Sequence, residues 1–111
     1  KSQLALSIKT SDGLFQVKQK DIIYIESVGE HLAVYTAEKT LIARDSLKRI
    51  ITELDAKFFY RSHKSYIVNC DHITKVEKGR FGDGSITLSN DQEVKLSRRY
   101  KAFLKELTLN L

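Results

Sequence analysis

The sequence predicts a single mainly β domain with eight or nine short strands, one internal helix and one C-terminal helix. Three observations carry this. Apolar residues alternate with polar ones at a period of two along most of the chain, as in Leu4-Ala5-Leu6-Ser7-Ile8-Lys9 and Ser85-Ile86-Thr87-Leu88-Ser89. Turn-forming clusters separate these runs at short intervals, among them Asp12-Gly13 and the glycine-rich Gly79-Arg80-Phe81-Gly82-Asp83-Gly84. Helical spacing of apolar residues appears twice, once after Ser46 and once after Ser97.

Taken in order, residues 4–9 form a first strand, Asp12-Gly13 a hairpin turn and residues 14–17 the returning strand. Ile22-Ile23-Tyr24-Ile25 is apolar on both faces and reads as a central strand. Glu26 to His31 reads as a break, after which Leu32, Val34 and Tyr35 resume a strand ending near Thr36. Ala37-Glu38-Lys39 turns into another short strand over 40–43. Asp45-Ser46 offers an N-cap, and Leu47, Ile50, Ile51 and Leu54 follow at i, i+3, i+4 and i+7, an amphipathic helix of about three turns. Tyr66-Ile67-Val68 is a β-branched strand. Residues 73–78, 85–89 and 94–96 form a second antiparallel meander. Ser97 then caps a helix carrying Tyr100, Phe103, Leu104 and Leu107 on one face. With no proline and no repeat, the chain reads as one module over residues 1–111.

Between the internal helix and the Tyr66 strand lies Phe58-Phe59-Tyr60-Arg61-Ser62-His63-Lys64-Ser65. Phe58 and Phe59 read as core anchors, and Arg61, His63 and Lys64 as donors held between two buried elements, which suits presentation to a partner. A solvated loop is the competing reading of the same residues.

Charge sharpens this. The formal net charge is +5, with an isoelectric point near 9.4. Residues 1–56 hold eight basic and eight acidic side chains, whereas residues 57–101 hold ten basic against five acidic. The excess therefore lies in one continuous segment, which favours a polyanionic partner over general solubility. No apolar run approaches the ~20 residues of a membrane-spanning helix, and no signal peptide is visible, since Lys1-Ser2-Gln3-Leu4 shows no apolar h-region. Beginning at Lys1 rather than Met, the chain reads as a piece of a longer protein. The single Cys70 cannot form an internal disulfide and points to a reducing compartment.

Arg98, Arg99 and Lys101 occupy the first turn of the predicted last helix, the wrong charge for its dipole. A phosphate on the free N–H groups there would compensate; the alternative is that the arginines are solvated or paired with an acid such as Glu93. Cys70, His63 and His72 match no common zinc spacing. Nucleophile elbow, Walker loop and His-Glu-x-x-His patterns are all missing, so an enzyme is disfavoured and no cofactor is implied.

Four separated stretches then combine: Asp21-Ile22-Ile23-Tyr24-Ile25-Glu26-Ser27 with His31, the run Phe58 to Asn69, Ile73-Thr74-Lys75-Val76, and Val94-Lys95-Leu96-Ser97-Arg98-Arg99-Tyr100. In this order and spacing the chain resembles the LytTR DNA-binding domain of bacterial response regulators, over about residues 5–107. The resemblance implies small antiparallel sheets in an elongated body. It further implies sequence-specific binding to duplex DNA through loops, with no recognition helix. Carried over, the reading positions are His31, Lys64 and Arg99. Lys64 stands where relatives often carry another polar residue, so it contacts either a guanine edge or a phosphate. Arg61, Ser65, Arg80, Lys95 and Arg98 are expected phosphate contacts, Arg80 and Lys95 on charge alone. His63 either ties its loop or reaches DNA. The resemblance also implies a cytoplasmic transcription regulator of a two-component system, an upstream receiver domain missing from this chain, and dimers on paired sites. A basic protein-interaction module and an RNA binder are the alternatives.

Overall fold

The structure, a computed structural model, describes residues 5–100, and among these described residues ten strands form three antiparallel sheets. β1 (Ala5–Thr10) and β2 (Gly13–Lys18) pair as a hairpin across the predicted Asp12-Gly13 turn. β3 (Ile22–Val28), β4 (His31–Thr36), β5 (Thr40–Arg44), β6 (Phe59–His63) and β7 (Tyr66–Asn69) form a sheet in the order β5-β4-β3-β7-β6. β8 (Ile73–Lys78), β9 (Gly84–Leu88) and β10 (Glu93–Leu96) form the third, in the order β10-β9-β8.

The five-stranded sheet is the middle layer because its central strands are apolar on both faces. Ile22, Ile25 and Ile67 join Leu6, Ile8, Leu32, Phe59 and the helix in one core. Ile23, Tyr24 and Val68 join Ile86, Leu88, Val94 and Leu96 in the other. A register irregularity between Ile22 and Tyr24 explains how Ile23 and Tyr24, adjacent in sequence, serve the same core. The body is elongated, 43 × 31 × 24 Å along its principal axes.

Four expectations need correction. The middle of the Phe58–Ser65 stretch is a strand, β6, paired with β7, and it supplies the tenth strand. Its polar residues hid it, since Arg61, Ser62 and His63 offer no apolar alternation. Phe59 is a core anchor at 3% exposure, but Phe58 is 39% exposed. Glu26 to His31 is no break: β3 runs to Val28 and β4 starts at His31, leaving a turn at Gly29-Glu30 with Gly29 at φ +62°. Glu26 is tolerated in the strand because Tyr35 Oη donates to its Oε1 at 3.0 Å.

The internal helix is also shorter than three turns. α1 (Leu47–Ile50) passes into a 3-10 turn over Ile51–Glu53. Ser46 caps it as expected, its Oγ accepting the Arg49 N–H at 3.2 Å. Buried Gln19 ends it: its Nε2 donates to the Glu53 carbonyl at 3.2 Å and its Oε1 accepts the Asp55 N–H at 2.9 Å. Those are groups that a continuing helix would use. Leu47, Ile50 and Leu54 are buried as their spacing predicts. The last helix lies outside the described residues beyond the 3-10 turn Arg98–Tyr100.

Candidate nucleic-acid interface

Two hairpin turns of the middle sheet lie side by side. Glu26 is opposite Tyr66, and one residue on the Ser27 N–H donates to the Ser65 carbonyl at 2.9 Å. The β3–β4 turn, where His31 begins β4, is therefore adjacent to the β6–β7 turn at Lys64-Ser65. A third segment joins them: the Ser97 N–H donates to the Ser62 carbonyl at 2.7 Å, which sets Arg98 and Arg99 beside the same turn. A fourth comes with it, since Asp83 Oδ1 accepts the Arg98 N–H at 3.1 Å and Arg98 Nη1 donates to the Phe81 carbonyl at 3.4 Å. That holds the β8–β9 hairpin and Arg80 to this end.

Within this region His31, Lys64, Arg80, Lys95, Arg98 and Arg99 are exposed. His31 pairs across strands with Val28 and Arg44, and Arg44 forms an exposed ion pair with Glu30 at 2.8 Å. The Ser65 backbone is engaged on both sides, its N–H by His63 Nδ1 at 3.1 Å and its carbonyl by Ser27. Arg61 is half-buried. Its Nη2 donates to the Lys64 carbonyl at 2.8 Å, its Nε to the His63 carbonyl at 3.4 Å, and its guanidinium lies 5.5 Å from the centre of the Tyr100 ring. One side chain thus braces the Lys64 turn against the Arg99 turn.

The backbone at Arg98–Tyr100 differs from the sequence expectation of N–H groups open for a phosphate. Arg98 N–H goes to Asp83, Arg99 N–H to Ser97 Oγ at 3.3 Å and Tyr100 N–H to the Ser97 carbonyl at 2.9 Å. The acid that meets Arg98 is Asp83, supplied by the hairpin, and it accepts the backbone N–H; among the described residues no ion pair joins Arg98 or Arg99 to Glu93.

Burial and neighbouring charge disfavour the protonated form of His63. Its pKa lies below the usual imidazole value, through burial first and then the charges of Lys95, Lys64 and Arg61, with Asp83 opposing. Because Nδ1 accepts the Ser65 N–H, the ring proton resides on Nε2. His63 therefore ties its turn, whatever else it contacts. Behind it Tyr24 stacks on Tyr35 at 4.3 Å and meets the tilted ring of Tyr66 at 6.2 Å. Burial and the Glu26 carboxylate raise all three phenol pKa values, so the trio stays protonated and supports β3 under the turns. Among the described residues no group of three His, Cys, Asp or Glu is placed to hold a metal. His72 instead bridges Ser89 Oγ at 2.7 Å and the Lys20 carbonyl at 2.8 Å. Burial, then Asp71, pushes the Cys70 thiol up to about 11.

Residues 12–108 match the family model described as LytTr DNA-binding domain. The chain belongs to the LytTR DNA-binding domain family. A solved LytTr DNA-binding domain, from a putative methyl-accepting/DNA response regulator of Bacillus cereus, superposes with a TM-score of 0.82. It shares 26% identity and covers 94% of this chain and 95% of that one. The sensory transduction protein LytT of Bacillus anthracis is 30% identical over 105 residues, 95% of this chain and 42% of the relative. The transcriptional regulatory protein LytR of Staphylococcus aureus (strain N315) is 24% identical over 107 residues, 96% of this chain and 42% of the relative. This LytTR domain thus spans about two-fifths of the length of those curated relatives. No helix among its described residues is long and apolar enough to cross a membrane.

Sequence reasoning missed Asp83 as the acid beside Arg98, Arg61 as a brace and Phe81 as an exposed aromatic. The Asp83 link joins residues fifteen apart through a hairpin, and no local pattern marks it. Phe81 was detectable, since an aromatic flanked by Arg80 and Gly82 has no strand neighbours to bury it.

Proposed function

We propose that this LytTR domain is the output module of a bacterial transcription regulator and reads duplex DNA in a sequence-specific manner. The observation that supports this best is the convergence of three cation-bearing or imidazole-bearing turns at one end of the middle sheet, joined by the Ser27–Ser65 and Ser62–Ser97 backbone bonds. Arg99 forks onto guanine O6 and N7. Lys64, compact and exposed, contacts a guanine edge or a phosphate. His31 donates to a base or phosphate from the neighbouring turn. Arg80, Lys95, Arg98 and the Ser65 hydroxyl contact phosphates and set the register. Arg61 contributes chiefly by position, because its guanidinium already holds two carbonyls and a ring. Side chains carried on turns enter the grooves here without a recognition helix.

The domain acts in the cytoplasm, follows a receiver domain in the full-length regulator and occupies paired sites as a dimer. Selection of bound duplexes from a random pool, at two salt concentrations, tests the reading. A consensus that persists at the higher salt is the expected result, with Arg99→Ala weakening binding to it by ~1–3 kcal/mol. Enrichment that vanishes with salt would leave only phosphate attraction. Preference for RNA in direct competition, or no nucleic-acid binding at all, would favour the RNA-binding or protein-interaction alternative.

A further inference from the structure

The geometry points to a nucleotide-contacting role for the β8–β9 hairpin tip, with Phe81 as an apolar contact to the duplex. This rests on the DNA-binding reading above. Phe81 is 74% exposed, more than Leu14, Val28, Ile42 or Phe58, the other exposed large apolar side chains among the described residues. A single exposed apolar residue is ordinary. The setting of this one is not.

The hairpin is held in a particular shape. Gly82 sits at φ +91°, where a side chain is strained, and a Cβ there would lie 3.2 Å from the Arg98 Cβ. At Gly84 a Cβ would overlap the Glu77 carbonyl oxygen. Strand and loop therefore close more tightly than any other residue permits, and the tip has a defined direction. It is then fastened twice to Arg98, through Asp83 Oδ1 to the backbone N–H and through the Phe81 carbonyl to Nη1. The Phe81 backbone thus lies within one hydrogen bond of the residue next to Arg99. Its neighbour Arg80 is exposed and cationic.

An exposed aromatic ring, carried on a backbone held to Arg98 and next in the chain to Arg80, has a natural ligand in a nucleotide. The cations meet phosphates, and the ring packs on the deoxyribose, a thymine methyl or the face of a partly unstacked base. A purely electrostatic docking surface would gain nothing from it. An acidic protein would meet the same charges, but it would not give a contact that depends on base stacking.

The chain contains no tryptophan, so Phe81→Trp introduces a sole reporter at the site. Titrating this variant with the selected duplex should quench and shift its emission at the concentration where binding saturates. Phe81→Ala should bind about ten-fold more weakly, with an unchanged salt slope and an unchanged melting temperature. Phe81→Leu should recover most of the affinity. The same titration on duplexes carrying uracil for thymine, or 2-aminopurine at successive steps, distinguishes a methyl contact from unstacking. The inference is overturned if Phe81→Ala binds within two-fold of the parent, if its salt slope falls by a whole phosphate, or if the indole emission of Phe81→Trp does not respond to saturating duplex. Failure of the parent chain to bind any duplex would instead overturn the DNA-binding reading, and this inference with it.

Discussion

Replacing Arg61 by lysine separates a brace from a contact. A lysine keeps the charge but loses the planar fork that spans the Lys64 and His63 carbonyls. The 2.8 Å bond to Lys64 is charge-assisted, yet its surroundings are half-exposed, so about 1 kcal/mol is a fair value after screening. The 3.4 Å bond adds little. The guanidinium over Tyr100 adds about 0.5–1 kcal/mol. Together the brace contributes about 1.5–2 kcal/mol, equivalent to roughly 10–30-fold in an equilibrium constant. If the Lys64 and Arg99 turns must be held together to dock, Arg61→Lys should weaken duplex binding by up to that factor. The slope of log K against log salt should stay that of the parent. Anisotropy titrations across a salt series measure both quantities. Lys64→Ala, the control, should lower the slope by about 0.9 if Lys64 meets a phosphate. Near-parental affinity for Arg61→Lys, with a slope reduced by about 0.9 in Arg61→Ala, would refute the brace and make Arg61 a phosphate contact.

Other consequences are as direct. Phe59→Ala should destabilise the domain by ~3–5 kcal/mol, since the ring is buried in the first core; a native-like urea midpoint would reject that placement. Asn69→Leu should cost about 2–4 kcal/mol by stranding the Ile22 carbonyl and the Asp71 N–H, which the amide serves at 2.9 and 3.0 Å; unfolding titrations report it directly. His63, its folded pKa below the unfolded value, stabilises the fold above about pH 6.5, and that contribution is lost as pH falls. The unfolded state takes up the proton first, so stability should rise with pH across this range. His63→Asn, which retains an acceptor near Nδ1, should flatten the dependence of melting temperature on pH there. An unaltered profile would assign the titration to another group. Gly84→Ala offers a check on the hairpin itself. A methyl overlapping the Glu77 carbonyl oxygen must force β8 and β9 apart, and weakened amide protection over residues 77–86 in hydrogen exchange is the expected signature.

Much of the architecture was legible in the chain. Period-two alternation, together with one double-sided apolar run, located nine of the ten strands, because a strand's burial is written in its apolar residues. That double-sided run at Ile22–Ile25 identified the middle layer, and Ser46 marked the helix start. The departures have physical causes. β6 is held by ladder bonds to β7 and by its neighbours, not by its own alternation. α1 stops where a glutamine far upstream takes its last backbone groups.

By itself the sequence determined where strands and turns occur, that the positive charge is concentrated after residue 56, and the family pattern running through four stretches. Which turns meet was decided only in three dimensions. Ser27 with Ser65, Ser62 with Ser97, and Asp83 with Arg98 are distant pairs, set by the strand order β4-β3-β7-β6 and by the packing of the third sheet against it. A period-two pattern specifies which face a residue takes but not which strand lies beside it, so the grouping of His31, Lys64 and Arg99 belongs to the tertiary structure.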